Sequence, residues 1–171
     1  MSDRIYNVLF LCTGNSARSI IGEAVMNKLG AGRFKAWSAG SQPKGEVHPM
    51  ALSVLNGMDY DTTGAYSKSW NEFSKPGSPE FDFIFTVCDN AAGEACPVWI
   101  GQPMTAHWGI EDPAAVEGEG QRDAFLQALR YLTNRISLFL TLPHTSIDEM
   151  AMRQKLKEIG QTEGASIGAS E

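Results

Sequence analysis

The segment Val8-Leu9-Phe10-Leu11-Cys12-Thr13-Gly14-Asn15-Ser16-Ala17-Arg18-Ser19 determines how the rest of this chain is arranged. Its first four residues are a short continuous apolar run, which is typical of a buried central strand. Residues 13–16 are small or polar and tolerate the backbone angles of a tight loop. Ser19 then opens a pattern with helical spacing. The segment therefore predicts a strand, a tight loop and a helix in direct succession.

This succession builds a binding site for an anion. The N–H groups of the loop and of the helix N-terminus point at one spot, and the Arg18 guanidinium can bind two oxygens at once. A thiolate is favoured in that field, so we expect the pKa of Cys12 to fall from about 8.5 to about 3.5–7.5. The predicted oxyanion-binding residues are Thr13, Gly14, Asn15, Ser16, Ala17, Arg18 and Ser19. A chance cysteine–arginine pair is the alternative, but it would not require the flanking strand and helix.

Length and composition favour one globular domain. The 171 residues carry a net charge of -6 without a cluster of Lys and Arg, which argues against a nucleic-acid surface. No apolar signal segment precedes the first strand and no run is long enough to cross a bilayer, so we expect a cytoplasmic protein. Three cysteines in a reducing compartment indicate working thiols rather than a disulfide framework.

Strands and helices alternate along the rest of the chain. A first helical pattern follows the loop and ends at Leu29, and a second covers residues 49–57. A third and longer helix has five apolar residues on one face: Phe125, Leu129, Leu132, Ile136 and Phe139. Strands are predicted at 34–38, 81–87 and 104–108, and Ser146 with Glu149 predicts a capping box for a last helix that ends near Ile159. This order predicts an α/β sandwich with a parallel sheet. We expect one catalytic domain over 1–159 and a disordered tail over 160–171.

The loop from Cys12 to Ser19 resembles the active-site loop of the low-molecular-weight protein tyrosine phosphatase superfamily, and most of all its arsenate reductase branch. The resemblance covers roughly residues 7–143. It implies a three-layer sandwich around a four-stranded parallel sheet.

Cys88-Asp89-Asn90-Ala91-Ala92-Gly93-Glu94-Ala95-Cys96-Pro97 supplies two more thiols after a predicted strand. A segment of such small residues changes shape at low cost, which suits the exchange of one disulfide for another. Composition alone leaves open that Cys88 and Cys96 are simply buried. Thioredoxin-linked arsenate reductases carry a similar cysteine pair and a later Trp-Gly-x-x-Asp-Pro run, here residues 108–113. The resemblance thus implies that Cys88 and Cys96 relay a disulfide.

Asp112 precedes a proline, which holds it in an extended conformation and can aim its carboxyl group. A carboxylic acid is suited to protonating an oxygen that leaves a tetrahedral anion. An ordinary Asp-Pro turn is the alternative, and the resemblance implies the general acid.

The resemblance also implies roles for residues around the loop. Asn15 would shape it and Ser19 would hydrogen-bond to the thiolate. Some reductases hold a potassium ion at positions matching Asn15, Glu23 and Ser38, but Lys68 stands where an acidic ligand is expected. An ammonium can replace the ion, so we predict no metal. We interpret His107 as a structural histidine.

The leading hypothesis is an arsenate reductase with Cys12, Arg18, Asp112, Cys88 and Cys96 as catalytic residues. The alternative is a tyrosine phosphatase with a Cys12 phosphoenzyme. Against it stand Ala17, where these phosphatases carry a second cysteine, Ala114-Ala115 in place of an aromatic residue, and the Cys88/Cys96 pair. A module that only binds an oxyanion or senses redox state is a third possibility.

The resemblance implies an external reductant rather than a bound cofactor. Thioredoxin is the first expectation from the three-thiol pattern, and glutaredoxin with glutathione is the alternative that Lys68-Ser69-Trp70 suggests. We expect a monomer that binds neither nucleic acid nor a membrane.

Overall fold

A computed structural model describes residues 4–88 and 103–165 of the chain. Its strands are β1 (Tyr6–Leu11), β2 (Phe34–Ala39), β3 (Phe83–Thr86) and β4 (Met104–His107). Its α-helices are α1 (Arg18–Leu29), α2 (Pro49–Gly57), α3 (Gln121–Leu140) and α4 (Glu149–Gly160). Short 3-10 helices span Trp70–Phe73, Pro113–Ala115 and Gly118–Gly120.

The four strands form one parallel sheet in the order β2-β1-β3-β4, which confirms the predicted α/β architecture. The register aligns Leu11 at the end of β1 with Ala39 of β2 and Thr86 of β3. Since all strands run the same way, their carboxyl ends meet at one edge of the sheet. The segments that follow Leu11 and Thr86, which carry Cys12 and Cys88, therefore emerge side by side.

The two faces of the sheet bury different layers. Along β1, Val8 and Phe10 face a large core that includes buried residues of all four described α-helices, while Leu9 and Leu11 face a smaller cluster with Trp70 and Phe73. This division follows from the alternation of side chains along a strand. Burial on both faces explains why β1 is a continuous apolar run.

The helices follow their predicted faces with two differences. The five predicted residues on α3 are all buried in the large core: Phe125, Leu129, Leu132, Ile136 and Phe139. Leu29 lies in the last turn of α1 and is 42% exposed, so the apolar face of that helix ends earlier than predicted. The capping box was also wrong: Asp148 caps α4 and accepts a 2.8 Å hydrogen bond from the Ala151 N–H.

Residues 160–165 correct the expectation of disorder from Gly160 onward. Gly160 ends α4, and the next residues pack on α3, where Arg135 donates to the carbonyls of Thr162 and Glu163. Ala165 pairs with Ile110 in an antiparallel bridge. Polar backbone contacts, which leave no apolar pattern in the sequence, hold this segment in place. Residues 166–171 lie outside the described part of the chain.

Within residues 4–88 and 103–165, no helix is both long enough and apolar enough to span a membrane.

Candidate active site

The loop between β1 and α1 is shaped by Asn15. Its φ of 44° lies in the left-handed region, which asparagine tolerates better than most residues. The buried Asn15 amide donates to the Ser19 hydroxyl over 2.8 Å and accepts from the Lys68 N–H over 2.8 Å. One side chain therefore joins the loop to the start of α1 and to the extended segment that contains Lys68.

The carbonyls of the loop are bound on its outer side. The N–H groups of Gln42, Lys44 and His48 donate to the carbonyls of Thr13, Gly14 and Ser16 over 3.0, 3.0 and 2.8 Å. In a trans peptide unit the carbonyl and the N–H point in opposite directions. Anchoring the carbonyls outward thus directs N–H groups toward the centre of the loop, which is the arrangement an oxyanion needs.

Arg18 lies beside this loop with its side chain only 14% exposed. One terminal nitrogen donates to the Ile110 carbonyl over 2.8 Å, and the other lies 3.8 Å from an Asp112 carboxylate oxygen. Its buried Nε has no hydrogen-bond partner among the described residues. An unpaired buried donor costs about 1–3 kcal/mol, so this atom is suited to an acceptor supplied by a bound anion.

Asp112 is brought to the same edge of the sheet by the segment after β4. It has the extended backbone that the following proline favours, at φ -73° and ψ 111°, and it caps the short helix Pro113–Ala115. One carboxylate oxygen accepts from the Ala114 N–H over 3.0 Å, which leaves the other directed toward Arg18. The side chain is 43% exposed, so a proton can exchange with solvent.

Cys12 and Cys88 are adjacent reduced thiols at the ends of neighbouring strands. The Thr13 N–H donates to the Cys88 sulfur over 3.2 Å, and the Thr13 hydroxyl lies 3.6 Å from it. The pKa of Cys12 is raised, first by its hydrogen bond with Cys88 and then by burial, whereas Arg18 and the Gly14 N–H lower it. The predicted fall of this pKa was therefore wrong, because the sequence does not reveal that Cys88 is in contact with Cys12.

A buried ammonium lies behind the loop. The Lys68 side chain is 3% exposed, donates to the Tyr66 carbonyl over 2.7 Å and lies 3.9 Å from a Glu23 carboxylate oxygen that also accepts from Ser38. Burial raises the pKa of Glu23 and lowers that of Lys68, and each charge opposes the shift of the other. Lys68 thus brings its own positive charge to Glu23, so these residues do not fit a potassium ion.

Two residues singled out in the sequence remain, His107 and Cys96. His107 lies with its Nδ1 2.7 Å from the Thr86 hydroxyl across β3 and β4, a contact that agrees with a structural histidine. Cys96 lies outside the described residues. Sequence reasoning missed the Ile110 carbonyl and the Ser67 hydroxyl, which donates to the Gly14 carbonyl over 3.2 Å. A backbone carbonyl has no side-chain signature, and one serine in a polar segment is not distinctive.

The fold and this loop, with Cys12 and Arg18 beside it, have the arrangement expected of a cysteine-based enzyme that acts on a tetrahedral oxyanion. The chain matches the family described as low molecular weight phosphotyrosine protein phosphatase over residues 7–155, and it belongs to that family.

Within the family, similar proteins are arsenate reductases. One from Oceanobacillus iheyensis is 33% identical over 141 residues, which are 81% of this chain and 96% of that protein. A glutaredoxin arsenate reductase from Synechocystis is 29% identical over 106 residues, 62% of this chain and 77% of that one.

Two solved structures extend this comparison. An arsenate reductase in the phosphate binding state is 28% identical with a TM-score of 0.61, over 78% of this chain and 98% of its own. A thioredoxin-dependent arsenate reductase from Corynebacterium glutamicum shares the fold, with 22% identity and a TM-score of 0.62 over 86% of this chain and 66% of its own.

Proposed function

We propose that this chain is an arsenate reductase in which Cys12 is the nucleophile and Cys88 the second thiol. Its likeness to arsenate reductases over most of its length supports the activity. The observation that carries the mechanism is the contact between Cys12 and Cys88 beside the oxyanion loop. A phosphatase needs only one of these thiols, whereas the reduction of arsenic from the +5 to the +3 state takes two electrons from a pair.

Arsenate binds to the N–H groups of residues 13–19 and to Arg18, whose unpaired Nε donates to one oxygen. Arg18 and the Gly14 N–H also lower the pKa of Cys12, so the groups that hold the anion favour the thiolate as well. The Cys12 sulfur attacks arsenic, an As–O bond breaks, and Asp112 protonates the oxygen that leaves as water.

Cys88 then attacks the sulfur of Cys12. An S–S bond forms, the S–As bond breaks, and its electron pair stays on arsenic, which leaves as arsenite. Thr13 supports this step by holding the Cys88 sulfur in place: its N–H donates to that sulfur over 3.2 Å, and its hydroxyl oxygen lies 3.6 Å from it.

Cys96 next attacks Cys88, which frees Cys12 and leaves a Cys88–Cys96 disulfide. The role of Cys96 is proposed from the sequence. An external thiol protein reduces this disulfide. We propose thioredoxin, because a chain with three thiols ends its cycle with a disulfide between two of its own cysteines, which thioredoxin can reduce. Glutaredoxin with glutathione is the competing donor, as in the name of the Synechocystis relative. Turnover with each purified system in turn separates them.

The test is a single turnover of fully reduced protein with excess arsenate and no reductant. We expect about one arsenite released and two thiols lost per chain, because one disulfide supplies both electrons. Cys88→Ser should release none, since no second thiol reaches Cys12.

Cys96→Ser is the matched control. It should still release one arsenite and lose two thiols, since Cys96 acts only after arsenite has left. If the unaltered chain or the Cys96→Ser variant releases no arsenite, the proposed relay is wrong.

A phosphatase is the second candidate, and the shared oxyanion loop with Arg18 and Asp112 favours it. Two alanines follow the Asp-Pro pair, so that position offers no aromatic surface to a phenyl ring. Sustained hydrolysis of an aryl phosphate without arsenite release would establish the phosphatase instead.

A further inference from the structure

The C-terminal strap, residues 160–165, lies beyond the part of the chain that matches the family, which ends at residue 155. It crosses α3 and ends against the segment after β4. None of the proposed catalytic residues belongs to it. Its contacts nevertheless connect it to Arg18 and Asp112 through Ile110.

Arg135 anchors the strap from α3. Its side chain is 0% exposed, and it donates to the carbonyls of Thr162 over 3.3 Å and of Glu163 and Tyr131 over 3.2 Å. Within residues 4–88 and 103–165, no carboxylate pairs with Arg135 and its Nε has no hydrogen-bond partner. Burying this charge is therefore costly, and the carbonyls that its two terminal nitrogens reach offset part of the cost. Arg135 thus uses its buried charge to hold two successive carbonyls of the strap, which indicates that the fold depends on where the strap lies.

The far end of the strap meets the proposed acid loop. Ala165 pairs with Ile110, whose carbonyl accepts the 2.8 Å hydrogen bond from Arg18. Asp112 follows two residues later and shares a pocket of about 330 Å³ with Gly164 and Ala165. The backbone of residues 110–112 is thus held between Arg18 on one side and the strap on the other.

We infer that Arg135 is a positioning residue for the reaction: through the strap it holds Ile110, and thereby aims Asp112 at the oxyanion loop. This inference rests on the proposed role of Asp112 as the acid. General acid catalysis requires hydrogen-bond reach, and an error of about 1 Å can cost about 100-fold in rate.

Gly164→Ala disturbs the contact between the strap and the Tyr131 ring of α3 without emptying the core. Gly164 has a φ of 93°, and a Cβ added there would overlap the Tyr131 ring, so either the strap or the ring must move. Gly77→Ala is the matched control. It meets the same backbone strain at φ 90° but has nothing within 4 Å of its Cβ, and it lies in a turn that precedes β3, whereas the site lies where β1 and β3 end.

The experiment is the single-turnover release of arsenite by the full chain, at a temperature where circular dichroism reports each variant folded. We expect Gly164→Ala to lower the rate about tenfold, Gly77→Ala to leave it unchanged, and inorganic phosphate to bind both variants within about twofold of the unaltered chain. Arg135→Met, which keeps the volume and removes the donors, should repeat the loss if it folds.

The decisive variant combines Gly164→Ala with Asp112→Asn. If the strap acts through Asp112, Gly164→Ala should not lower the rate any further in the Asp112→Asn background, because the carboxyl group that the strap positions has been removed. The full tenfold loss in the Asp112→Asn background, or an unchanged rate for Gly164→Ala alone, overturns the inference. No arsenite from the unaltered chain overturns the proposed function itself, and the role of the strap with it.

Discussion

At the scale of single residues, Cys88 raises the pKa of Cys12. The hydrogen bond between them favours the protonated form of Cys12 more than the positive charge of Arg18 favours the thiolate. This contact suits the proposed relay, because Cys88, which attacks second, already lies against Cys12, which attacks first.

Cys88→Ala should lower the pKa of Cys12, since it removes the largest cause of its elevation and leaves Arg18 and the Gly14 N–H in place. The measurement is the rate of alkylation by iodoacetamide against pH, followed at the peptide that contains Cys12 by mass spectrometry. The thiolate is the reactive form, so the midpoint of this curve reports the pKa.

The matched control is Cys96→Ala, which we expect to leave that midpoint unchanged. A midpoint that stays in place or rises in Cys88→Ala would contradict the assigned cause.

At the scale of elements, the loop depends on the connection that follows β2. Gly40 lies against the loop, where a Cβ would overlap the carbonyls of Cys12 and Thr13. Its N–H and carbonyl pair with Lys68 and Trp70 over 2.9 Å, so it cannot withdraw. The oxyanion loop thus takes its shape from two segments distant in sequence as well as from its own residues.

Gly40→Ala should therefore push the loop out of shape and weaken the binding of inorganic phosphate, by about tenfold or more, while α/β secondary structure is kept. Isothermal calorimetry with phosphate measures the effect. Gly64→Ala is the control, because that glycine has open space around it. Equal phosphate affinity in the two variants would show that the close approach of Gly40 does not shape the site.

At the scale of the whole molecule, the site and an aromatic cluster occupy opposite edges of the sheet. His144 packs on Tyr6, Phe34 and Phe83, which begin β1, β2 and β3, with ring centroids 5.0–6.0 Å apart. It also lies 4.6 Å from the Phe139 ring. Changes in this cluster should alter stability and leave the chemistry at the carboxyl ends of the strands alone.

His144 should make the fold less stable in acid. Burial lowers its pKa, so as pH falls below the ordinary value of about 6.5 the unfolded chain binds a proton that the folded chain resists. The free energy of unfolding therefore falls with pH through this window. His144→Phe removes the titrating group, and urea unfolding at pH 8 and pH 5.5 should show a smaller difference than in the unaltered chain.

The variant's single-turnover rate at pH 8 serves as the control and should be unchanged. An undiminished pH dependence in His144→Phe would mean that other groups cause the acid instability.

Much of the architecture followed from local patterns. The buried run of β1, the stripe on α3 and the extended backbone of Asp112 before its proline were correct, because each depends on neighbours within a few residues. The cap of α4 was assigned to Ser146, two residues before the Asp148 that caps this helix, and local preference alone does not fix a helix end that closely. The strap was missed because backbone carbonyls held by Arg135 leave no periodic signal.

Residue types and their spacing were enough to predict the parallel α/β class, the tight loop from Cys12 to Arg18 at the end of a strand, and further cysteines at 88 and 96. These depend on residue type, spacing and the rule that parallel strands end at one edge. Three further facts came from packing: Cys88 raises the pKa of Cys12, Lys68 places its charge at Glu23, and Ala165 pairs with Ile110. Each of these depends on a distance between residues far apart in the chain, and such distances are set by packing rather than by local sequence.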